Sequence, residues 1–299
     1  MATSVSTSVV NLSEFYRDLV AFAVANAGFT DATTGSTTVQ GHEIFQMTKT
    51  VGGHTPLWTF EDIDSTATHH KNSKVVMTVP GSVSSLPSYI STFGINGPFE
   101  GYWFFTEGTC VHAVLEILPG IYNHLSFGNV AKAGVWEGGA YLVTGYYGST
   151  THIGGGVYWF SNTASSYCTP FGGDESSVPH SNKVHVVVDG KNTIYRSGNT
   201  GVAERITFFN RDTNSHPIRT NQATLRAPLT PSYVRAKNQI SGLRQLIGMI
   251  PGVCAVDMEF IIPEEVVNTN WRAFPLVSIA GNRVISPDTG FGGLAYEIT

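Results

Sequence analysis

The sequence predicts a mainly β fold, an antiparallel β-sandwich-like body that carries one short N-terminal α-helix. Only 13% of the 299 residues are charged, whereas an average soluble domain has roughly 25%. Long amphipathic helices place Glu, Lys and Arg on their solvated faces, so this low charge disfavours a helical protein. The 32 glycines and the many Ser and Thr residues instead suit strands joined by tight turns.

The helix is predicted from Asn11 to about Ala27. Asn11 and Glu14 form a capping pattern in which side chains satisfy free amides of the first turn. Gly28 is well placed to end the helix. The apolar residues at helical spacing are Leu12, Phe15, Leu19 and Phe22. We expect this stripe to pack on the protein's own sheet, with docking on a neighbouring subunit as the alternative.

Short apolar runs bounded by turn residues predict the strands. In chain order they are Glu43 to Thr48, Lys74 to Val79, Tyr102 to Phe105, Val111 to Leu118, Ile121 to Phe127, Val184 to Val188, Thr193 to Tyr195, Arg205 to Phe209, Val256 to Ile262 and Trp271 to Ile279. Asp189-Gly190 is a strong signal for a two-residue hairpin connection. The stretch between Thr48 and Lys74, including Gly52-Gly53 and Glu61 to Ser73, is expected to be an exposed loop. Gly242 to Met249 is expected to be a short helical or turn segment.

These elements divide the chain into four segments. Residues 1–95 are expected to form an N-terminal helix and β segment, and residues 96–210 a central antiparallel β domain. Residues 211–241 are predicted to be an extended linker, since Pro217, Pro228 and Pro231 interrupt a polar stretch. Residues 242–299 form a C-terminal β segment, either separate or part of one composite domain with the centre.

Composition also limits the partners and the compartment. The net charge of −5 and the sparse basic residues disfavour nucleic acid as the main ligand. The three cysteines have no C-x-x-C pair, so we expect them to be reduced and buried. The sequence contains neither a signal-peptide pattern nor an apolar run long enough to cross a membrane, so no membrane partner is expected.

The histidines are the main candidates for metal ligands. His112 and His124 flank the Pro119-Gly120 turn, so they lie on two neighbouring strands of one hairpin. A two- or four-residue connection places Leu115 opposite His124 and puts the two imidazoles on opposite faces of the sheet. A three-residue connection would change that register. We therefore predict no metal site at this hairpin.

Other candidate chemistry is equally weak, and we predict no catalytic site and no cofactor. His69-His70 has no nearby metal-ligand partner in the sequence, and no G-x-S-x-G motif is present. Asp174-Glu175 could be compared with a glycosidase carboxylate pair. However, adjacent side chains on an extended chain point apart, which favours a solvated acidic loop.

Aromatic residues are concentrated in the stretch from Trp136 to Tyr167. We expect most of them to pack in the core or in loops. If exposed, they would suit a sugar-stacking surface or a subunit interface, because Tyr and Trp bury a large area and keep a polar tip. The candidate interface aromatics are Tyr146, Tyr147, Tyr158 and Trp159.

Three blocks of sequence carry a resemblance to a known group of proteins. Ile121 to Val130, continued by Lys132 to Tyr141, resembles a "y-x-H-l-x-F-G-x-l-x-K-x-G-x-(aromatic)-x-G-G-x-(aromatic)" signature of uncharacterised virion structural proteins of tailed bacteriophages. Trp271 to Leu276, followed by Thr289 to Tyr296, resembles the ending of the same proteins. Ala25 to Phe29 resembles the end of their opening helix, and the three blocks occur in the same order.

The resemblance implies a structural component of the tail, baseplate or head–tail neck, present as a multi-copy ring and assembled in the host cytoplasm. Its partners would be copies of itself and other virion proteins, and it implies no catalytic residues. Because a closed ring repeats one unlike contact, each subunit should carry two different complementary patches. The residues expected to determine the fold or the assembly are His124, Phe127, Gly128, Gly134, Trp136, Gly138, Gly139, Tyr141, Trp271 and Phe274.

Two alternative functions remain open on the sequence alone. The first is a carbohydrate- or receptor-binding module at the tail tip, which would stack a host surface glycan on the aromatics between Trp136 and Tyr167. The second is a glycan hydrolase that uses Asp174 or Glu175. The low charge and the resembling blocks favour the assembly protein.

Overall fold

A computed structural model describes most of the chain. It covers residues 2–6, 11–37, 43–62, 73–81, 87–90, 97–144, 183–188, 191–196, 204–208, 228–238, 244–258, 260–275, 285–286 and 290–298. Within these ranges the chain forms one helix, α1 (Leu12–Ala27), and a series of strands. The prediction of a mainly β protein with a short N-terminal helix is confirmed.

The strands are numbered in chain order. They are β1 (Ala2–Ser6), β2 (Thr30–Asp31), β3 (Ile44–Thr48), β4 (Leu57–Asp62), β5 (Ser73–Thr78), β6 (Pro87–Ile90), β7 (Gly101–Glu107), β8 (Cys110–Leu118), β9 (Ile121–Asn129), β10 (Ala131–Lys132), β11 (Gly138–Thr144), β12 (Lys183–Val188), β13 (Lys191–Arg196), β14 (Glu204–Phe208), β15 (Thr230–Asn238), β16 (Arg244–Asp257), β17 (Val266–Val267), β18 (Trp271–Pro275), β19 (Ile285–Ser286) and β20 (Gly290–Glu297).

The strands belong to two sheets. The smaller sheet has the order β2-β3-β4-β5-β6. The larger has the order β1-β7-β8-β9-β11-β12-β13-β14-β15-β16-β20-β18-β17, with β10 paired to β16 and β19 to β20. Most pairs are antiparallel, and β13 with β14 is parallel. Because β10 directly follows β9 and pairs with β16, the larger sheet folds back on itself and its two ends pack face to face.

Strands β7, β8 and β9 form the middle layer of the body, and both of their faces are buried. Side chains alternate along a strand, so Phe104 and Phe127 face a core shared with α1 and the smaller sheet. Trp103 and Phe105 face a second core shared with β16, β18 and β20, to which Phe274 contributes. This face-to-face packing of β7–β9 against β16–β20 is the β-sandwich.

The helix begins and ends where its sequence predicts. The side chain of Asn11 accepts a hydrogen bond from the backbone N–H of Glu14 at 2.9 Å, which satisfies one of the free amides of the first turn. At the other end, Gly28 has φ 65° and its N–H bonds to the carbonyl of Ala23. That left-handed conformation costs glycine little.

The apolar stripe of α1 packs on the protein's own sheets, as expected. The rings of Phe15 and Phe22 lie 5.4 and 5.5 Å from the ring of Phe104 in β7. Tyr16 lies 5.3 Å from Phe60 in β4, so the helix lies between the two sheets. These contacts account for the apolar residues at helical spacing without a neighbouring subunit.

The Asn11→Ala variant is expected to lower the free energy of unfolding by about 1 kcal/mol, because it removes the N-cap acceptor. The matched control is Asn11→Ser, which retains a side-chain oxygen at the cap and should lose far less. Denaturant unfolding monitored by circular dichroism measures both variants. Equal losses for Ala and Ser would contradict a capping role for the side chain.

Three predictions of local structure are wrong. The strand β4 (Leu57–Asp62) lies within the stretch that was expected to be an exposed loop; residues 63–72 lie outside the described ranges. The strand expected from Val256 to Ile262 is not formed as predicted, because β16 ends at Asp257 and residues 260–262 belong to no strand. The segment from Gly242 to Met249 was expected to be helical or a turn, but its described part is the beginning of β16. A register irregularity pairs Val234 with Gly248 and Arg235 with Leu246, so the alternation of side chains is broken there.

The predicted linker also contains a strand. β15, which lies inside residues 211–241, pairs with β14 on one side and β16 on the other. The described part of that stretch is therefore integral to the larger sheet. The division into segments otherwise stays a prediction. The hairpin at Asp189-Gly190 is confirmed by its register, since Val188 pairs with Lys191.

Candidate functional site

The three blocks that carry the resemblance meet at strand β9. In the N-terminal block, Ala25 to Phe29, the ring of Phe29 contacts the ring of Phe127 in β9 at a centroid distance of 5.6 Å. On the opposite face of the strand, His124 lies against two residues of the last block, with ring distances of 5.9 Å to Tyr296 and 6.5 Å to Phe274. Residues far apart in sequence therefore form one packed unit around β9.

The two hairpin histidines lie on the same face of the sheet, so the prediction of opposite faces is wrong. Leu118 pairs with Ile121 across a two-residue connection, as considered from the sequence. The register then shifts by one residue between Leu118 and Glu116, as expected of a β-bulge. Beyond the shift the pairs are His112 with Ser126 and Val114 with His124, so both imidazoles point into the second core.

His112 joins β8 to the opposite layer. Its Nδ1 lies 2.7 Å from the hydroxyl of Ser126, and its Nε2 lies 2.7 Å from the carbonyl oxygen of Pro251 in β16. Since a carbonyl can only accept, Nε2 carries the proton and Nδ1 accepts from the hydroxyl. Burial lowers the pKa of His112 to about 4, and the hydrogen bond to Pro251 opposes that change. The imidazole is therefore neutral at pH 7.

His124 makes the corresponding connection from β9. Its Nδ1 lies 2.8 Å from the hydroxyl of Tyr296 in β20, and its Nε2 lies 3.4 Å from the carbonyl oxygen of Pro275 in β18. Burial also lowers the pKa of His124 to about 4, against the effect of the Pro275 carbonyl. Together, the two neutral histidines connect the middle layer to all three strands of the layer packed against it.

Two motif glycines are required by close backbone contacts. Gly128 has φ 122°, and a Cβ there would lie 2.3 Å from the carbonyl oxygen of Thr109. Gly138 has φ 105°, and its Cβ would lie 1.8 Å from the carbonyl oxygen of Val187 in the paired strand. No side chain fits either position without displacing the neighbouring backbone.

The loop between β10 and β11 is held by its own residues. Lys132 donates to the carbonyl oxygens of Trp136 and Gly138 at 3.0 and 3.2 Å, and its ammonium lies 4.7 Å from the centre of the Trp136 ring. The indole N–H of Trp136 donates to the carbonyl of Ala133. One face of this ring is therefore occupied by a cation, which disfavours Trp136 as a sugar-stacking platform.

The remaining motif residues anchor the ends of the segment. Tyr141 donates its hydroxyl proton to the carbonyl of Val51 at 2.6 Å and so ties β11 to a turn of the smaller sheet. A Cβ on Gly139 would lie 2.3 Å from that same hydroxyl oxygen. Phe274 is fully buried, and half-buried Trp271 packs against a small third core. Gly134 lies in the exposed loop with open space around it.

Several candidates from the sequence lie outside the described residues. These are Tyr146, Tyr147, Tyr158 and Trp159 among the aromatics, the Asp174-Glu175 pair, the His69-His70 pair and Cys168. The other two cysteines, Cys110 and Cys254, are buried and free, as expected. Among the residues that the structure describes, no group of three or more His, Cys, Asp or Glu side chains could hold a metal ion.

Two sets of exposed apolar side chains were not predicted from the sequence. Patch A consists of Tyr233 on β15 with Leu246 and Met249 on β16. Tyr233 pairs directly with Met249, so these side chains share the outer face of the sheet. Patch B consists of Phe260, Ile262 and Val266, in the segment after β16. Exposed apolar clusters of this kind are typical of contact surfaces.

No protein-family model matches the chain, and no curated protein does. The described helix is too short to be a membrane-spanning segment.

Proposed function

We propose that this chain is a structural subunit of a tailed-bacteriophage virion that assembles as a multi-copy ring in the tail, baseplate or head–tail neck. The observation that carries the proposal is the convergence of the three resembling blocks on β9, through Phe29, His124 and Phe274. Blocks that pack together form one structural unit, which a group of related proteins could share.

The arrangement of the motif residues suits a scaffold better than an enzyme. Each ring nitrogen of His112 and of His124 has a partner inside the core, so neither histidine is poised to exchange protons with a substrate. The motif therefore builds a rigid body, and the exposed patches A and B provide the surface through which that body contacts other subunits. The proposal includes no enzymatic activity.

Quantitative mass spectrometry of gradient-purified virions tests the proposal. We expect the chain to be present at a fixed ratio to the portal and tail-tube proteins, because a ring component has a set copy number. The ratio should stay constant between preparations and after washing at high salt. The host lysate proteins that contaminate the same gradient fractions serve as the control, and their ratios should vary.

Absence of the chain from purified virions, or a ratio that varies like that of the contaminants, would contradict the structural role. An exported or host-acting protein would give this second result. The comparison needs no knowledge of which ring contains the chain.

A further inference from the structure

The strand segments that carry patch A have a positive formal charge. In the pairing of β15 with β16, Arg235 stands opposite Leu246 of the patch and Lys237 stands opposite Arg244. Neither β15 nor residues 244–250 contain an acidic residue. Patch A is therefore carried by strand segments whose sequence is basic.

The segment that carries patch B is acidic. Glu264 and Glu265 lie between Ile262 and Val266, and residues 257–267 contain no Lys or Arg, although Arg272 of β18 pairs with Val266. Tyr122 donates a hydrogen bond to Glu264 at 2.9 Å, which brings the segment beside Glu116 of β8. Burial raises the pKa of Glu116, and the negative charges of Glu264 and Glu100 raise it further. Several carboxylates are therefore concentrated at this end of the molecule.

The two patches are separated along one strand. Met249 is the sixth of the 14 residues of β16, whereas Asp257 is its last residue and patch B follows three residues later. The eight residue steps from Met249 to Asp257 extend over at most roughly 26 Å of strand. Each patch can therefore face a different neighbour at the same time.

We propose that patch A of one copy binds patch B of the next copy, so that identical chains join through an unlike contact. Apolar side chains carried on segments of opposite formal charge are the composition expected of a specific protein interface. Because each copy presents both patches, the contact repeats, and it closes into a ring when the rotation per subunit allows. The inference rests on the proposed function and names the interface that the ring would use.

Paired variants of the full chain test this interface. The patch A variant carries Leu246→Asp and Met249→Asp, and the patch B variant carries Phe260→Asp and Ile262→Asp. The matched control is Val24→Asp, because Val24 on α1 has the same 38% exposure as Met249 and belongs to neither patch. Circular dichroism and thermal unfolding verify that every variant is folded before it is compared.

Sedimentation velocity over a concentration series gives the readout. Wild type and Val24→Asp are expected to form species larger than a dimer, and each patch variant alone is expected to be monomeric. An equimolar mixture of the two patch variants should form heterodimers and nothing larger, because each partner retains only one functional patch. Added salt should weaken every one of these contacts by screening the charges.

Three results would overturn the inference: a wild type that stays monomeric, a patch variant that still self-associates, or a mixture that does not form heterodimers. A contact between two copies of patch A would be recognised because the patch B variant would dimerise alone. The virion measurement separates the two proposals. If the chain is monomeric but present in the virion at a fixed ratio, only the proposed interface is wrong. If the chain forms rings but is absent from the virion, only the proposed virion role is wrong.

Discussion

The Gly138→Ala variant is expected to lower the free energy of unfolding by about 3 kcal/mol or more, and Gly128→Ala by a similar amount. Both residues have positive φ, at 105° and 122°, a region that costs other residues about 1–3 kcal/mol. The added Cβ would also overlap the carbonyl oxygens of Val187 and Thr109. Those atoms belong to neighbouring backbone and can move only if the strand pairing around them is disturbed.

Gly134→Ala separates the two contributions. Gly134 has φ 84°, but a Cβ there would have nothing within 4 Å. The free energy of unfolding of this variant should therefore fall only by the cost of the unfavourable backbone conformation, about 1 kcal/mol. Denaturant unfolding of all three variants gives the comparison. If Gly134→Ala is as destabilising as Gly138→Ala, the close backbone contact is not what requires glycine in the motif.

Acidification is expected to destabilise the protein through its two buried histidines. Their pKa falls from 6.5 to about 4 on folding, so the unfolded chain binds protons more readily than the folded one. The stabilising contribution is complete above pH 6.5 and is lost as the pH falls toward 4. Each histidine accounts for about 3 kcal/mol of that loss. Below the lower pKa, both states are protonated and the contribution stays constant.

The double variant His112→Gln with His124→Gln isolates this contribution, because carboxylates also titrate toward the lower end of that range. It should be less stable at neutral pH, since its partners in the opposite layer lose their hydrogen bonds. However, its unfolding free energy should change less between neutral and acidic pH than that of wild type. The single variant His112→Gln should give a slope between that of wild type and that of the double variant. A double variant with an unchanged slope would contradict the role of the histidines.

The sequence was most informative where local rules decide the structure. Asn11 and Gly28 define the ends of α1 because capping depends on a few adjacent residues. The aromatic strands β7 and β9 were predicted because long apolar runs bounded by turns have few alternatives. In β16, by contrast, Ile247 and Ile250 are both buried. Buried residues three positions apart are typical of a helix. Here the spacing arises from a strand irregularity that cannot be recognised from the sequence.

The candidate site was predictable only in part. The resemblance identified His124, Phe127 and Phe274 as important, and the structure shows that they are buried packing residues. Their partners could not be inferred, because the contacts join strands that are distant in sequence and depend on a one-residue register shift in β8. Patch A was missed for the same reason, because which apolar residue points outward depends on the register of its strand. Patch B was missed because Phe260 and Ile262 were expected to lie in a strand, whereas they follow the end of β16.

The position of the partners of His124 has a consequence for how the protein is made. Pro275 and Tyr296 follow it by 151 and 172 residues, a distance that a ribosome covers in roughly 10 to 30 s at about 5–20 residues per second. During this interval the nascent chain already contains the aromatic residues of β7 but lacks the strands that cover them. Newly made chains are therefore most prone to aggregate late in translation, and slower synthesis at low temperature prolongs that exposure unless a chaperone shields the uncovered face.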